Sequence, residues 1–389
     1  MDELYETMNR LLAHTRCDFF RYLYPVINWD NRMLGLVGPR GVGKTTLFLQ
    51  RIKSNHEQRD ALYVSADNIY FATHTLFDTA DEFNKNGGTK LYIDEVHKYP
   101  RWSRELKAIY DSFPDLHVYF TGSSILDIEK GEADLSRRAP KYLMQGLSFR
   151  EFMSYRHHVQ TPALTLEQIL DHGASLPGIE HPLPYFREYL KTGYYPFGND
   201  PDFIIELNQV VSRTLEVDIP QFANMNASTG RKLERLLALI STLAPFKPNM
   251  TKLASQVGVS RNSLEDYLLL IEKAGMIAQL RDAARGINGF GKLEKVYIDN
   301  TNLLYALCND EAEVGTVRET FFYNQMRVNN QVASSPLSDF QIDGATFEVG
   351  GRSKGKQQLK GADRGYVVKD DIEYGHGNVI PLWAFGLNY

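Results

Sequence analysis

The stretch GPRGVGKTT at residues 38–46 sets a glycine, four further residues and then Gly43, Lys44 and Thr45 in a row. This is the spacing of a phosphate-binding loop. Gly38, Gly41 and Gly43 let the backbone curl with its N–H groups inward, and the N-terminus of a following helix adds positive potential. Lys44 is expected against the β- and γ-phosphates, Thr45 on Mg2+, and Thr46 behind the phosphates or at the helix start. With Pro39, Arg40 and Val42 completing the loop, the whole stretch is the expected contact with ATP or ADP.

A second group of residues lies about fifty positions on. In KLYIDEVHKYP, residues 90–100, an apolar run ends in Asp94 and Glu95. Open α/β sheets bind ligands at the carboxyl ends of their strands. Asp94 is therefore the second expected Mg2+ residue, and Glu95 the group that polarises an attacking water. Thr121 and Ser123, in VYFTGSS, either orient water and sense the γ-phosphate or form a polar turn. Arg137 and Arg138 either meet phosphate, in their own site or as an arginine finger in a neighbour's, or form a solvated basic pair.

These residues need a parallel sheet to bring them together. RMLGLVG, ALYVSAD (61–67) and DLHVYFTGSS (115–124) are short apolar runs that suit buried strands, and KTTLFLQRIKS has helical periodicity.

The chain has 389 residues, 43% hydrophobic and 23% charged, which predicts two or three globular domains. A net charge of −5 argues against an overall basic coat for nucleic acid, though a local patch remains open. Cys17 and Cys308 have no zinc spacing, and the histidines show no HExxH pair. A reduced, cytoplasmic setting is expected. The N-terminus lacks a signal-peptide pattern, and no window approaches the ~20 apolar residues that span a bilayer, so no membrane partner is expected.

Residues 147–235 are helix-like between the turn-rich SLPGIEHPLP and GYYPFGNDPD, and are expected as a lid over the nucleotide. From 231, RKLERLLALISTLAPF and NMTKLASQVGVSRNSLEDYLLLIEKAGMI give a helix-turn-helix pattern. Its turn falls at Gly258 and Val259, and its second helix is capped by Ser260 with acidic support in the first turn. Residues 277–298 would make a wing. In a DNA reader Ser260, Arg261 and Asn262 would face the major groove and Lys292 would touch phosphate. Glu265 and Asp266, close behind Arg261, favour a packing or partner-binding module instead.

Further on, a helix with Glu319, a strand with Asp339 and a second strand with Glu348 resemble the restriction-endonuclease-like core. In that core carboxylates hold a metal and a lysine stands two residues after the second carboxylate. Here that place is Gly350, with Lys354 and Lys356 nearby. An inactive remnant is the expectation.

GPRGVGKTT, LYIDEVHKYPRW, VYFTGSS and GLSFREF, in this order, resemble the AAA-superfamily ATPases of bacteria and archaea that carry a C-terminal domain of unknown function. YLKTGYYP (189–196), LEVDIP (215–220) and KVYIDNTNLLYAL (295–307) extend the likeness along most of the chain. The resemblance implies an α/β fold with the parallel sheet of an AAA-type P-loop NTPase (1–146), a helical lid (147–235), a winged helix (236–300) and a nuclease-like α+β terminus (301–389). It also implies ATP rather than GTP, and no guanine-selecting NKxD stretch is present. The expected activity is Mg2+-dependent ATP hydrolysis driving a conformational switch. The alternatives are a nucleotide-gated DNA-binding regulator and an ATP-controlled nuclease. An unidentified protein partner and an oligomer both fit.

Overall fold

The computed structural model describes the chain except residues 123–134, 136, 224, 226, 284–290 and 356 and the side chains of 221, 222 and 227. Two compact units result, Met1–Gly146 and Leu147–Tyr389.

In the first unit α1 (Asp2–His14) buries Leu4, Met8 and Leu12, with Asp2 and Glu3 in its first turn and His14 in its last. The two acids complement the helix dipole. The strands are β1 (Met33–Val37), β2 (Ala61–Ser65), β3 (Lys90–Asp94), β4 (His117–Gly122) and β5 (Lys141–Leu143). Between them run α2 (Lys44–Ser54), α3 (Leu76–Lys85) and α4 (Trp102–Ser112). All five strands are parallel, in the order β2-β3-β4-β1-β5. Every residue of β1 is buried, which explains why its sequence is a continuous apolar run rather than an alternating one. The core gathers Met33, Leu62, Leu91, Ile93, Val118 and Phe120 with Phe83, Trp102 and Leu106 from the helices.

This strand order fixes the site. Because β4 lies between β1 and β3, the loop after β1 and the acids after β3 face each other across the end of β4. A side chain there can reach the acids, and Thr121 is that side chain, bonded to Asp94 and to the Glu95 backbone.

The second unit begins with α5 (Phe149–His157), α6 (Leu166–Leu170), α7 (Leu183–Glu188), α8 (Phe203–Arg213) and α9 (Ile219–Ala223). Ser148 and Glu151 form a reciprocal capping box on α5. Single π-helical turns cover Tyr189–Gly193 and Thr214–Asp218. The chain continues through α10 (Ala227–Leu243), α11 (Met250–Val257) and α12 (Arg261–Lys273), then the antiparallel ribbon β6 (Ile277–Arg281) and β7 (Leu293–Ile298). Gly258 ends α11 at φ 75°, and Ser260 caps α12 by accepting the Ser263 N–H at 3.1 Å. The acidic support expected in the first turn of α12 is absent. Glu265 lies one turn further on, where it pairs with Arg261 at 3.3 Å.

After α13 (Thr301–Leu307) and α14 (Val314–Met326) come β8 (Ala333–Ser334), β9 (Phe340–Ile342), β10 (Ala345–Gly350), β11 (Gly365–Lys369) and β12 (Val379–Pro381). They form one mixed sheet in the order β12-β11-β10-β9-β8. After β12, Leu382–Leu387 form a buried 3-10 helix. Among the described residues no helix is long and apolar enough to cross a membrane.

Gly38 shows how tightly the loop is seated. Its φ is +155°, and a Cβ there would lie 2.2 Å from the Met144 carbonyl oxygen. Backbone cannot yield as a side-chain tip can, so Gly38→Ala is expected to destabilise the protein by about 1–3 kcal/mol. Urea denaturation monitored by tryptophan fluorescence measures this, and an unchanged midpoint would show that the loop relaxes.

Candidate nucleotide site

The loop leaves β1 at Gly38 and enters α2 at Lys44, with positive φ at Gly38, Gly41 and Gly43. Only glycine adopts such angles without steric cost. Lys44 is 6% exposed, and its Nζ donates to the Gly38 carbonyl at 2.9 Å and the Pro39 carbonyl at 2.8 Å. Burial pulls its pKa down to about 8, against the opposing pull of Asp94 and Glu95. Val42 is buried, while Thr46 is exposed at the helix start.

Asp94 ends β3 and is 4% exposed. A carboxylate so far from water needs donors, and three hydroxyls supply them. Thr45 Oγ1 donates to Asp94 Oδ2 at 2.6 Å, Tyr63 Oη donates to the same oxygen at 2.7 Å, and Thr121 Oγ1 donates to Oδ1. Thr121, itself fully buried, also accepts the Glu95 backbone N–H at 3.0 Å. Burial and the Asp94 charge raise the Tyr63 pKa, so its phenol remains a donor. A carboxylate beside a threonine hydroxyl is the all-oxygen donor set that Mg2+ prefers, and Thr45 and Asp94 would hold it.

Glu95 follows at φ 48°, ψ 41°, a left-handed conformation rare for a non-glycine residue. The turn sets its side chain beside Arg40, whose Nη2 lies 3.7 Å from Glu95 Oε1. Burial raises the Glu95 pKa, Arg40 lowers it, and Asp94 raises it further. His97 is held neutral, its pKa pushed down to about 3 by burial and by the nearby Lys98, Lys44 and Arg40. It therefore offers no positive charge to phosphate at neutral pH.

Two contributors escape sequence reasoning. Tyr63 looks like one more apolar strand residue. Arg21, 5% exposed, donates to the carbonyls of Val42 at 2.5 Å, Gln145 at 2.7 Å and Gly146 at 2.8 Å, bracing the loop from behind. Arg40, expected in the loop's contact with nucleotide, also faces Glu95. Of the remaining candidates, Arg138 binds Asp111 at 3.2 Å, Arg137 is exposed, and Ser123 lies outside the described residues.

In the second unit Ser260, Arg261, Asn262 and Lys292 are all exposed. Arg261 and Lys292 line one groove of about 790 Å3 with Lys247, Lys273 and Arg281. Glu319 and Asp339 also come together, on one ammonium group. Lys295 Nζ donates to Glu319 Oε2 at 3.0 Å and to Asp339 Oδ1 at 3.3 Å. Asp339 stands one residue before β9 rather than within a strand as the sequence suggested, and its other oxygen accepts the Val349 N–H at 3.0 Å. Glu348 is fully buried and paired with Lys354. The stem of Lys354 lies over Gly350, 2.7 Å from where a Cβ there would sit. Lys356 is outside the described residues. Among the described residues no cluster of three histidine, cysteine or acidic side chains is arranged to hold a metal.

A parallel sheet with a glycine-rich loop after its first strand, and a threonine–aspartate pair across the neighbouring strand, defines a P-loop NTPase. Residues 30–153 match the family described as an AAA domain, and residues 183–314 match a domain of unknown function (DUF8612). The chain therefore carries an AAA-type P-loop ATPase domain followed by a C-terminal domain of unknown function. No curated protein matches it. Among solved structures, a Walker-type ATPase of Pyrococcus abyssi aligns at 13% identity over 78% of this chain and 95% of that one, with TM-score 0.44. AMPPCP-bound DnaA from Aquifex aeolicus aligns at 12% identity over 70% and 88%, and Cdc6p from Pyrobaculum aerophilum at 10% over 80% and 94%, each with TM-score 0.28.

Lys295 separates a structural cluster from a metal site. Lys295→Met leaves Glu319 and Asp339 facing each other, mostly buried, and is expected to cost about 2–3 kcal/mol. Urea denaturation with and without Mn2+ measures it, and full rescue by Mn2+ would instead make the carboxylates metal ligands.

Proposed function

We propose that this protein is a Mg2+-dependent ATPase that works as a nucleotide-driven conformational switch. The observation that carries the reading is the contact of Thr45 with Asp94 at 2.6 Å, with Glu95 next in the chain. The loop amides and Lys44 hold the β- and γ-phosphates, and Thr45 and Asp94 hold the metal. Mg2+ supplies positive charge against the phosphate oxygens. Glu95 accepts a proton from the water that attacks the γ-phosphorus. The bond from that phosphorus to the bridging oxygen breaks, and the electron pair leaves on ADP. Thr121 supports the switch reading. It binds both the Asp94 carboxylate and the Glu95 backbone, so a change in what Asp94 holds is passed to the end of β4.

Steady-state ATP hydrolysis tests this. Glu95→Gln is expected to lower kcat by about 100-fold or more while ATP still binds, whereas Lys44→Ala is expected to lose binding. Full-rate turnover by Glu95→Gln would remove Glu95 as the base. Specific activity that rises with protein concentration would place an arginine finger, with Arg137 the exposed candidate, in a neighbouring subunit.

The groove beside α12 favours a second reading, a nucleotide-gated DNA-binding regulator. Its five cations are partly balanced, since Lys247 pairs with Glu294 at 2.5 Å and Arg261 with Glu265 at 3.3 Å. If duplex DNA is the ligand, Arg261→Ala with Lys292→Ala should weaken binding about tenfold or more at low salt and flatten its salt dependence, with hydrolysis unchanged. Fluorescence anisotropy decides, and equal binding by the double variant would end this reading.

A further inference from the structure

Arg40 occupies the third position of the phosphate loop, a place whose backbone serves the phosphates. Its side chain goes elsewhere. The guanidinium lies 3.7 Å from Glu95 Oε1, and both side chains are largely buried, at 21% and 28% exposure. The backbone of Glu95 is fixed independently by its left-handed turn and by the bond from its N–H to Thr121. What those restraints leave open is the direction of the side chain. A carboxylate that must accept a proton from one water needs a defined direction, because a misplacement of about 1 Å can cost 100-fold in rate.

We propose that Arg40 is a positioning residue that acts through Glu95, aiming and charge-balancing the carboxylate that activates water. It is the attachment between the loop that holds the phosphates and the carboxylate that activates water beside them. The planar guanidinium suits this task because it keeps its charge when buried and offers several donors in a fixed fork. Seating of the loop on a triphosphate then sets the place of the base, so phosphate position and water position are fixed by one side chain.

The inference rests on the ATPase reading above, and the test separates the two. Full-length wild type, Arg40→Ala, Arg40→Lys, Glu95→Gln and the Arg40→Ala/Glu95→Gln double variant are compared for kcat, for KM and for binding of a non-hydrolysable ATP analogue with Mg2+. Arg40→Ala is expected to lower kcat about tenfold or more, with KM and analogue affinity within about threefold of wild type. Arg40→Lys should recover part of the loss, because it restores the charge without the fork. In the Glu95→Gln background Arg40→Ala should cost nothing further, since a residue that acts through another has no effect once that one is gone. The proposal is overturned if Arg40→Ala weakens analogue binding about tenfold with kcat intact, which makes Arg40 a phosphate ligand. It is also overturned if the same loss of kcat appears with and without Glu95. In either case a wild type that hydrolyses ATP and a slow Glu95→Gln variant leave the ATPase reading standing.

Discussion

Burying the Asp94 carboxylate is the constraint on which the first unit turns. An ionised group removed from water is tolerated only when its oxygens are taken up by donors. The three hydroxyls that reach Asp94 come from β2, β4 and the start of α2. Each of those elements must therefore hold its register to within a fraction of a residue. The parallel pairing of Ser65 with Asp94 and of Ile93 with Phe120 provides this alignment. The geometry of the site is thus a property of the sheet, and the loop inherits it through Arg21, which pins the Val42 carbonyl from the opposite side.

The second unit is organised around buried amides rather than a carboxylate. Asn302, fully buried, accepts the Tyr194 N–H at 2.8 Å and donates to the carbonyls of Tyr189 and Leu190 at 3.0 Å each. Those carbonyls belong to a π-helical turn, where backbone groups lose their usual partners. Gln325 adds a bond to the Tyr189 hydroxyl at 2.9 Å, and Asp299 pairs with Arg327. YLKTGYYP and KVYIDNTNLLYAL, over a hundred residues apart, are thus two halves of one polar network. Its amides can be satisfied only when both segments are in place, which makes the pairing specific.

The sequence and the structure agree wherever the chemistry is local along the chain. Loop, helix start and the Asp94–Glu95 pair are legible because glycines, a lysine and an acidic strand end carry their meaning at fixed spacing. The turn at Gly258 and the cap at Ser260 are legible for the same reason. Tyr63, Arg21 and Lys295 are not, because their partners are assigned by strand order and by long-range packing, and no periodicity marks a tyrosine in a buried strand as a hydrogen-bond donor. The resemblance to a nuclease core places Asp339 in a strand. Its carboxylate instead caps the Val349 N–H, and the strand starts only after it. The acidic support expected in the first turn of α12 is absent, because Glu265 sits a turn too late and pairs with Arg261 along the helix face.

Gly350 and Lys354 carry a wider consequence. The ammonium at Glu348 comes from a residue four places past Gly350, whose stem fills the volume that a longer side chain at Gly350 would have occupied. The partner of Glu348 is defined by a location in space, supplied by whichever backbone can reach it. The length of the short connection between the two residues then becomes as much a determinant of the site as the residue types themselves.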